Sequence, residues 1–187
     1  LRLSPGEHIA VIDAASDYFE CEIVSFESQL CVRICQHGGK TACTAQVTLV
    51  QGLCKGEKMD EVIRHATELG VRKFIPLLCD RSIVKLDAKK SASRMKRWES
   101  IAKSAAMQSG QPAIPLVANP MKPTQAAQIL SDYSAVLVCW EEERVLSLHD
   151  ALHDALHELG IEAGEACVAV IVGPEGGLTD EEVKILK

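Results

Sequence analysis

Residues 167–172, Cys-Val-Ala-Val-Ile-Val, are an unbroken apolar run that ends at Gly173-Pro174-Glu175-Gly176-Gly177. A run apolar at every position has no polar face to offer water, so it fits a strand buried on both sides within a parallel sheet. Beyond the glycines, Thr179 with Glu182 three residues on reads as a capping box that opens a helix. Strand, glycine turn and helix, in that order, put the turn at the carboxyl edge of the sheet, where open α/β sheets bind ligands. The glycines let backbone N–H groups approach a ligand closely. No Gly-Lys-Ser/Thr follows and G-x-G-x-x-G is not matched, so neither phosphate loop is present, and Glu175 would repel a pyrophosphate. An ordinary strand-to-helix turn is the competing reading of these residues alone.

Upstream, strand-like and helix-like patterns alternate from Val47. Val47–Val50 reads as a strand running out into Gln51–Gly56. A helix follows with Met59, Val62, Ile63, Ala66 and Leu69 on one face, stopped by Gly70. Lys73–Cys79 is the next strand, ending at Asp80-Arg81-Ser82. Ser93 caps a helix carrying Met95, Trp98, Ile101, Ala102 and Ala105, which closes near Gly110. Residues 112–123 read as a loop with one short extended piece, and a short helix spans Thr124–Leu130. The strand Ala135–Trp140 leads into Glu141-Glu142-Glu143, and a helix from Ser147 to about Leu159 precedes the opening run. Strands separated by helices imply an α/β fold, a parallel sheet covered on both faces.

The first segment differs. Runs at 8–13, 18–24 and 30–35 are short and β-branched or alternating, with turn residues between them, and suggest a small β-barrel. The Gly/Thr/Ala-rich residues 37–46 are the best linker candidate. Cys31 and Cys35 share a strand face, so packing accounts for them. The eight cysteines form no C-x-x-C pair and several fall in apolar strands, which favours reduced core thiols over a disulfide frame or a zinc site.

A chain of 187 residues, 47% hydrophobic and 25% charged, is long enough for one large domain or a small one plus a medium one. No apolar run is long enough to span a bilayer, and no signal peptide opens the sequence; a cytoplasmic, membrane-free protein is expected. The net charge of −6 argues weakly against a nucleic-acid partner. Its distribution argues for one: residues 81–103 hold eight Lys/Arg against only Asp87 and Glu99, a basic stretch suited to phosphates on an acidic body. A solvated helix face accounts for the stretch equally well.

His149, His153 and His157 recur every four residues on one helix face. Neither a nearby cysteine nor a carboxylate from a third element completes a ligand set, so a polar helix face is the expected reading and no metal is assigned. Lys55, Arg81 and Glu141 carry more weight, because each lies just past the end of a predicted parallel strand. With Gly173–Gly177 they gather at one sheet edge.

Taken in order along the chain, these residues resemble the bacterial small-subunit ribosomal RNA uridine-N3 methyltransferases of the SPOUT (α/β-knot) superfamily. The resemblance is carried by 1–6 (Leu-Arg-Leu-Ser-Pro-Gly), 55–59 (Lys-Gly-Glu-Lys-Met), 67–71 (Thr-Glu-Leu-Gly-Val), Ile75-Pro76 and Asp80-Arg81-Ser82. Trp98, 105–109 (Ala-Ala-Met-Gln-Ser), Ile114-Pro115 and 173–179 (Gly-Pro-Glu-Gly-Gly-Leu-Thr) continue it. It implies an RNA-gripping, PUA-like β-barrel over residues 1–44 and a SPOUT methyltransferase domain over 45–187 that binds S-adenosyl-L-methionine and forms a homodimer through its knot. It also implies that Trp140, Glu141, Val172, Gly173, Pro174, Glu175, Gly176 and Gly177 line the cofactor pocket, and that Lys55, Glu68, Arg81 and Gln108 lie near the catalytic, RNA-facing cleft. Met107 and Gln111 stand where the family commonly has glutamate and arginine. The family continues past residue 187 with a strand, a second cofactor loop and a closing helix, so the knot-closing segment is expected to be absent from this chain.

The reaction implied by the resemblance moves a methyl group from a sulfonium carbon to N3 of a uridine in 16S ribosomal RNA, by in-line displacement that needs no metal. N3 of neutral uridine carries a proton, so the base must be deprotonated and its anion stabilised. A cation such as Arg81 or Lys55 suits the anion, and Glu68 is a possible proton acceptor. Positioning the uridine, drawn from its stack or from an unpaired loop, can supply on the order of 7–11 kcal/mol. Ribose 2′-O-methylation and a catalytically silent RNA-binding module are the alternatives.

Overall fold

A computed structural model of the chain describes residues 3–187, apart from positions 14, 16, 28, 41–44, 85–87 and 163 and the side chains of 40, 88 and 89. The chain divides into two compact units, Leu1–Ala42 and Cys43–Lys187. The boundary expected at 44/45 falls at residues outside those described.

The first unit is a three-stranded antiparallel sheet ordered β1-β2-β3, formed by β1 (His8–Ile12), β2 (Asp17–Phe26) and β3 (Leu30–Lys40). Cys21 and Ile23 are buried, while Val32 and Ile34, their partners in register on β3, remain exposed. The described strands thus make an open sheet; closure into a barrel is not seen in them. The linker expected from 37 is in fact strand as far as Lys40. Gly39 pairs with Tyr18 and Lys40 with Asp17, His37 stacks on Phe19 at 4.8 Å, and a Cβ on Gly38 would stand 2.5 Å from the Tyr18 ring. Glycine there makes room for an aromatic ring; it does not break the strand. Cys31 and Cys35 are exposed thiols, so core packing does not account for them.

The second unit is a five-stranded, all-parallel sheet ordered β6-β5-β4-β8-β7. Its strands are β4 (Gln46–Gly52), β5 (Lys73–Leu77), β6 (Leu116–Val117), β7 (Ala135–Cys139) and β8 (Cys167–Val172). The helices are α1 (Lys58–Glu68), α2 (Ala88–Ser109), α3 (Pro123–Leu130), α4 (Leu148–Leu159) and α5 (Asp180–Leu186). Side chains alternate across the strands, as the pleat requires. Val50, Ile75, Leu77, Ala169 and Ile171 pack with Ala126 and Leu130 of α3 and Val183 and Leu186 of α5. On the opposite face, Phe74 meets Met59 and Ile63 of α1 and Trp98 and Ala102 of α2, and Leu137 and Val168 meet Ala151, Leu152, Ala155 and Leu156 of α4. Among them Phe74, Ile75, Ile63, Trp98 and Ile171 are at most 1% exposed.

Two local expectations are corrected. Helix α2 starts at Ala88, five residues before Ser93, because nothing in Ala88-Lys-Lys-Ser-Ala breaks a helix. Leu69 is the α1 C-cap and 86% exposed, while Asp60 and Thr67 occupy the buried face. Helix α5 begins as expected: Thr179 Oγ1 accepts from the Glu182 N–H, and Glu182 Oε2 accepts from the Thr179 N–H. Among the described residues no helix is long and apolar enough to cross a membrane.

Candidate functional site

The strand order places β4 and β8 side by side although β5, β6 and β7 come between them in the chain. Strands β5 and β6 lie on one side of the pair and β7 on the other, so the connections depart in opposite directions from this pair. That is the topological switch point of the sheet, and at its carboxyl edge lies the turn 173–177. Gly52 stands directly under it: a Cβ there would collide with the backbone N of Pro174, so only glycine lets the two segments cross.

Three side chains brace the turn, and a fourth ties the helix after it to the neighbouring strand. Gln51, 5% exposed, donates from Nε2 to the Gly173 carbonyl at 3.1 Å. Arg81 donates from Nη1 to the Gly176 and Leu178 carbonyls, both at 3.2 Å, and stands 3.9 Å from Glu141 Oε1. Glu175 turns away from the sheet, accepting from the Lys55 N–H at 3.0 Å and pairing with Lys58 Nζ at 3.5 Å. Hydrogen bonds from its own N–H and from that of Lys55 hold its carboxyl below the usual range. Glu182 Oε1 accepts from the Asp80 N–H at 2.8 Å and so ties α5 to the end of β5. A turn held by three side chains keeps its N–H and C=O groups in fixed orientation, the preorganisation a ligand site requires.

Beside the turn opens a cavity of about 600 Å³. Its apolar walls are Val138, Val172, Leu146, Leu148 and Ala151, and its polar rim is Glu141, Ser147 and Lys187. Leu146 and Leu148 are each about half exposed, apolar surface that a ligand would cover. The Glu141 carboxylate occupies the space where Gly177 would carry a Cβ, bringing an acceptor against the turn. Glu143 shapes the rim, accepting at 2.9, 2.9 and 3.2 Å from the N–H groups of Arg144, Val145 and Leu146. Those bonds, from Val145 first, hold its carboxyl low. Trp140 closes one side under the Lys187 ammonium, 5.5 Å from the ring centroid.

Of the residues expected here, Trp140, Glu141, Val172, Gly173, Pro174 and Gly177 line this cavity, whereas Glu175 and Gly176 sit on the outer side of the turn. Lys55 and Arg81 stand at the same edge. Glu68 and Gln108 do not: they lie in the last turns of α1 and α2, and the 11 residues of α1 carry the chain about 16 Å from its start beside the turn. Glu68 pairs with His65 at 3.4 Å, its carbonyl accepts from Gln111 Nε2 at 2.8 Å, and Gln108 lines a separate groove. Sequence reading missed Gln51, Glu143, Leu146 and Ser147. A glutamine directly after the apolar run Val47–Val50 was the one available signal, and it does not name its partner.

Neither buried thiol near the edge is poised as a nucleophile. Burial pushes Cys54 up and takes Cys79 to about 12, with Glu175 and Glu182 respectively adding to the shift. His149, His153 and His157 stack on the exposed face of α4, at 6.5 and 6.0 Å between ring centroids, with His149 beside Asp150 and His153 beside Asp154. No group of three potential metal ligands occurs among the described residues.

Comparisons with known proteins point one way. Residues 41–187 match the RNA methyltransferase domain. The whole chain is 34% identical to 72% of a ribosomal RNA small subunit methyltransferase E of Bacillus subtilis, and 99% of it is 28% identical to 69% of the protein of that name in Mycobacterium bovis. Among solved structures, the ribosomal RNA small subunit methyltransferase E of Neisseria gonorrhoeae, bound to S-adenosyl methionine, superposes with a TM-score of 0.77 at 26% identity, covering 99% of this chain and 73% of that one. A methyltransferase of Legionella pneumophila, in complex with the same cofactor, gives 0.79 at 27%, covering 99% and 72%.

Proposed function

Since the chain belongs to the family of the ribosomal RNA small subunit methyltransferases E and carries their RNA methyltransferase domain, we propose that it transfers a methyl group from S-adenosyl-L-methionine to N3 of a uridine in small-subunit ribosomal RNA. The observation that carries the reading is the braced glycine turn beside a cavity of about 600 Å³ at the carboxyl edge of the parallel sheet. On this reading the protein works in the cytoplasm as a homodimer joined through its methyltransferase domain, with a small ribosomal subunit or its RNA as partner. The first unit, Leu1–Ala42, helps to grip that RNA.

The residues present fit the cofactor. Leu146, Leu148 and Val172 offer apolar walls to a purine, Glu141 offers a carboxylate to ribose hydroxyls, and the backbone of 173–177 offers N–H and C=O groups to the remaining polar atoms. When bound, S-adenosyl-L-methionine supplies an electrophilic methyl on a positively charged sulfur. The chain's own task is to hold the uridine edge and stabilise the charge left when N3 gives up its proton, which spreads onto O2 and O4. Lys55 is the better-placed cation, since its ammonium has no partner among the described residues. Arg81 already donates to two loop carbonyls, so we assign it to holding the turn. Glu68 and Gln108 face another part of the surface and take no proton in this scheme.

The test supplies labelled S-adenosyl-L-methionine and undermodified small subunits, then separates nucleosides. Label in 3-methyluridine is the expected result. Label in a 2′-O-methyl nucleoside would overturn the uridine assignment, and RNA binding without label would leave a silent module.

A further inference from the structure

A second cavity, of about 250 Å³, lies between α1 and α2 and is lined by Arg64, Ser100, Ser104 and Gln108 over a floor of Ile101 and Ala105. Ser100, Ser104 and Gln108 follow at four-residue steps, so they share one face of α2. Arg64 faces them from α1. All four polar groups are available. Serines inside helices commonly bond back to the carbonyl four residues earlier, as Ser109 does to Ala105 at 2.7 Å. Ser100, Ser104, Gln108 and Arg64 make no hydrogen bond or ion pair among the described residues, and no carboxylate lines the cavity. The acids of α1 are engaged elsewhere or stand apart: Asp60 holds Arg97 and Trp98, Glu68 pairs with His65, and Glu61 makes no ion pair with Arg64. Lys96, one turn ahead of Ser100 on the same face, and Lys103, next to Ser104, are exposed, as is Glu99 next to Ser100.

A guanidinium, two hydroxyls and a carboxamide, all able to donate and with no competing anion, match the oxygens of a phosphodiester. We propose that this groove is a phosphate subsite for the RNA backbone, remote from the cofactor cavity, in which Arg64 supplies the charge and Ser100, Ser104 and Gln108 supply oriented hydrogen bonds. The inference rests on the reading of the chain as an RNA methyltransferase. It gives Gln108 a contact to substrate backbone in place of a role in the chemistry.

The experiment measures binding of a labelled fragment of small-subunit ribosomal RNA at a series of KCl concentrations, for the wild-type protein, Arg64→Ala, Arg64→Lys and Ser104→Glu. Arg64→Ala is expected to weaken binding about tenfold and to flatten the plot of log K against log salt by about 0.7, one phosphate contact on single-stranded RNA. Arg64→Lys keeps the slope, and Ser104→Glu, which puts an anion in the groove, weakens binding at least as much as Arg64→Ala. Unchanged affinity and slope in both Arg64→Ala and Ser104→Glu would overturn the subsite. Methyl transfer, followed in the same samples, separates the two readings. Arg64-dependent binding without transfer keeps the subsite and removes the proposed reaction, whereas transfer with an unaltered KM for RNA in Arg64→Ala removes the subsite alone.

Discussion

The N–H of Lys55 donates to Oε1 of Glu175 at 3.0 Å, although 120 residues separate them in the chain. The bond joins the loop after β4 to the glycine turn after β8, and Lys58 reinforces it from α1. Glu175→Ala removes both contacts, and we predict a cofactor Kd raised about fivefold by titration calorimetry. The sign of its pH dependence follows from the lowered carboxyl. The unfolded chain binds that proton more readily, so the stabilisation is complete above the ordinary glutamate value of about 4.3 and is lost as pH falls through the folded value. The urea midpoints of wild type and Glu175→Ala should therefore converge as the pH is lowered into that region.

Gly177 combines φ of +71° with the Glu141 carboxylate lying where its Cβ would be. Gly177→Ala should destabilise the protein by about 1–3 kcal/mol and impair cofactor binding. Adding Glu141→Ala relieves the collision but not the backbone strain, so the double variant should recover part of the melting temperature and none of the affinity.

The strand, turn and helix order at 167–183 was legible because apolar runs, glycines and a capping box are local signals, and the same holds for the parallel sheet they imply. What the sequence concealed is long-range. Nothing near Gln51 announces that its amide will meet the Gly173 carbonyl, and nothing near Gly52 announces that Pro174 will cross it. Gly38-Gly39 looked like a break because the Tyr18 ring that needs the space lies on another strand. Family resemblance brought Glu68 and Gln108 to the cleft, but the directions of α1 and α2 carry both away from the turn.

Asp60 sits on the buried face of α1, 7% exposed, where an apolar stripe was expected. It accepts from Trp98 Nε1 at 3.1 Å and from Arg97 Nε and Nη2 at 2.7 and 2.6 Å. Asp60→Ala leaves a buried indole N–H without its acceptor and releases Arg97. A loss of about 3 kcal/mol is expected, read as a lower denaturation midpoint with unchanged m.

Thr67 is fully buried, and its Oγ1 finds no hydrogen-bond partner among the described residues. Replacing that hydroxyl by a methyl in Thr67→Val removes a desolvated polar atom while keeping the branched shape. We expect a gain of about 1 kcal/mol, a rise of roughly 2–4 °C in Tm for a chain of this size. A fall in Tm would mean that the hydroxyl is satisfied in solution.

Lys55 and Arg81 stand at one sheet edge with different engagements, and kinetics should separate them. The Lys55 ammonium has no partner among the described residues, so Lys55→Ala is expected to lower kcat by about 10²–10³ while leaving the cofactor Kd near that of the wild type. The two loop carbonyls held by Arg81 lose their donor in Arg81→Ala, so the cofactor Kd should rise first, with kcat recovering at saturating cofactor. Both carbonyls are held by the single atom Nη1, and a lysine ammonium also carries donors enough for two, so Arg81→Lys should restore part of that affinity. If instead Arg81→Ala binds cofactor normally and loses kcat, Arg81 is the cation facing the uridine, and Lys55 serves the fold only through its backbone bond to Glu175.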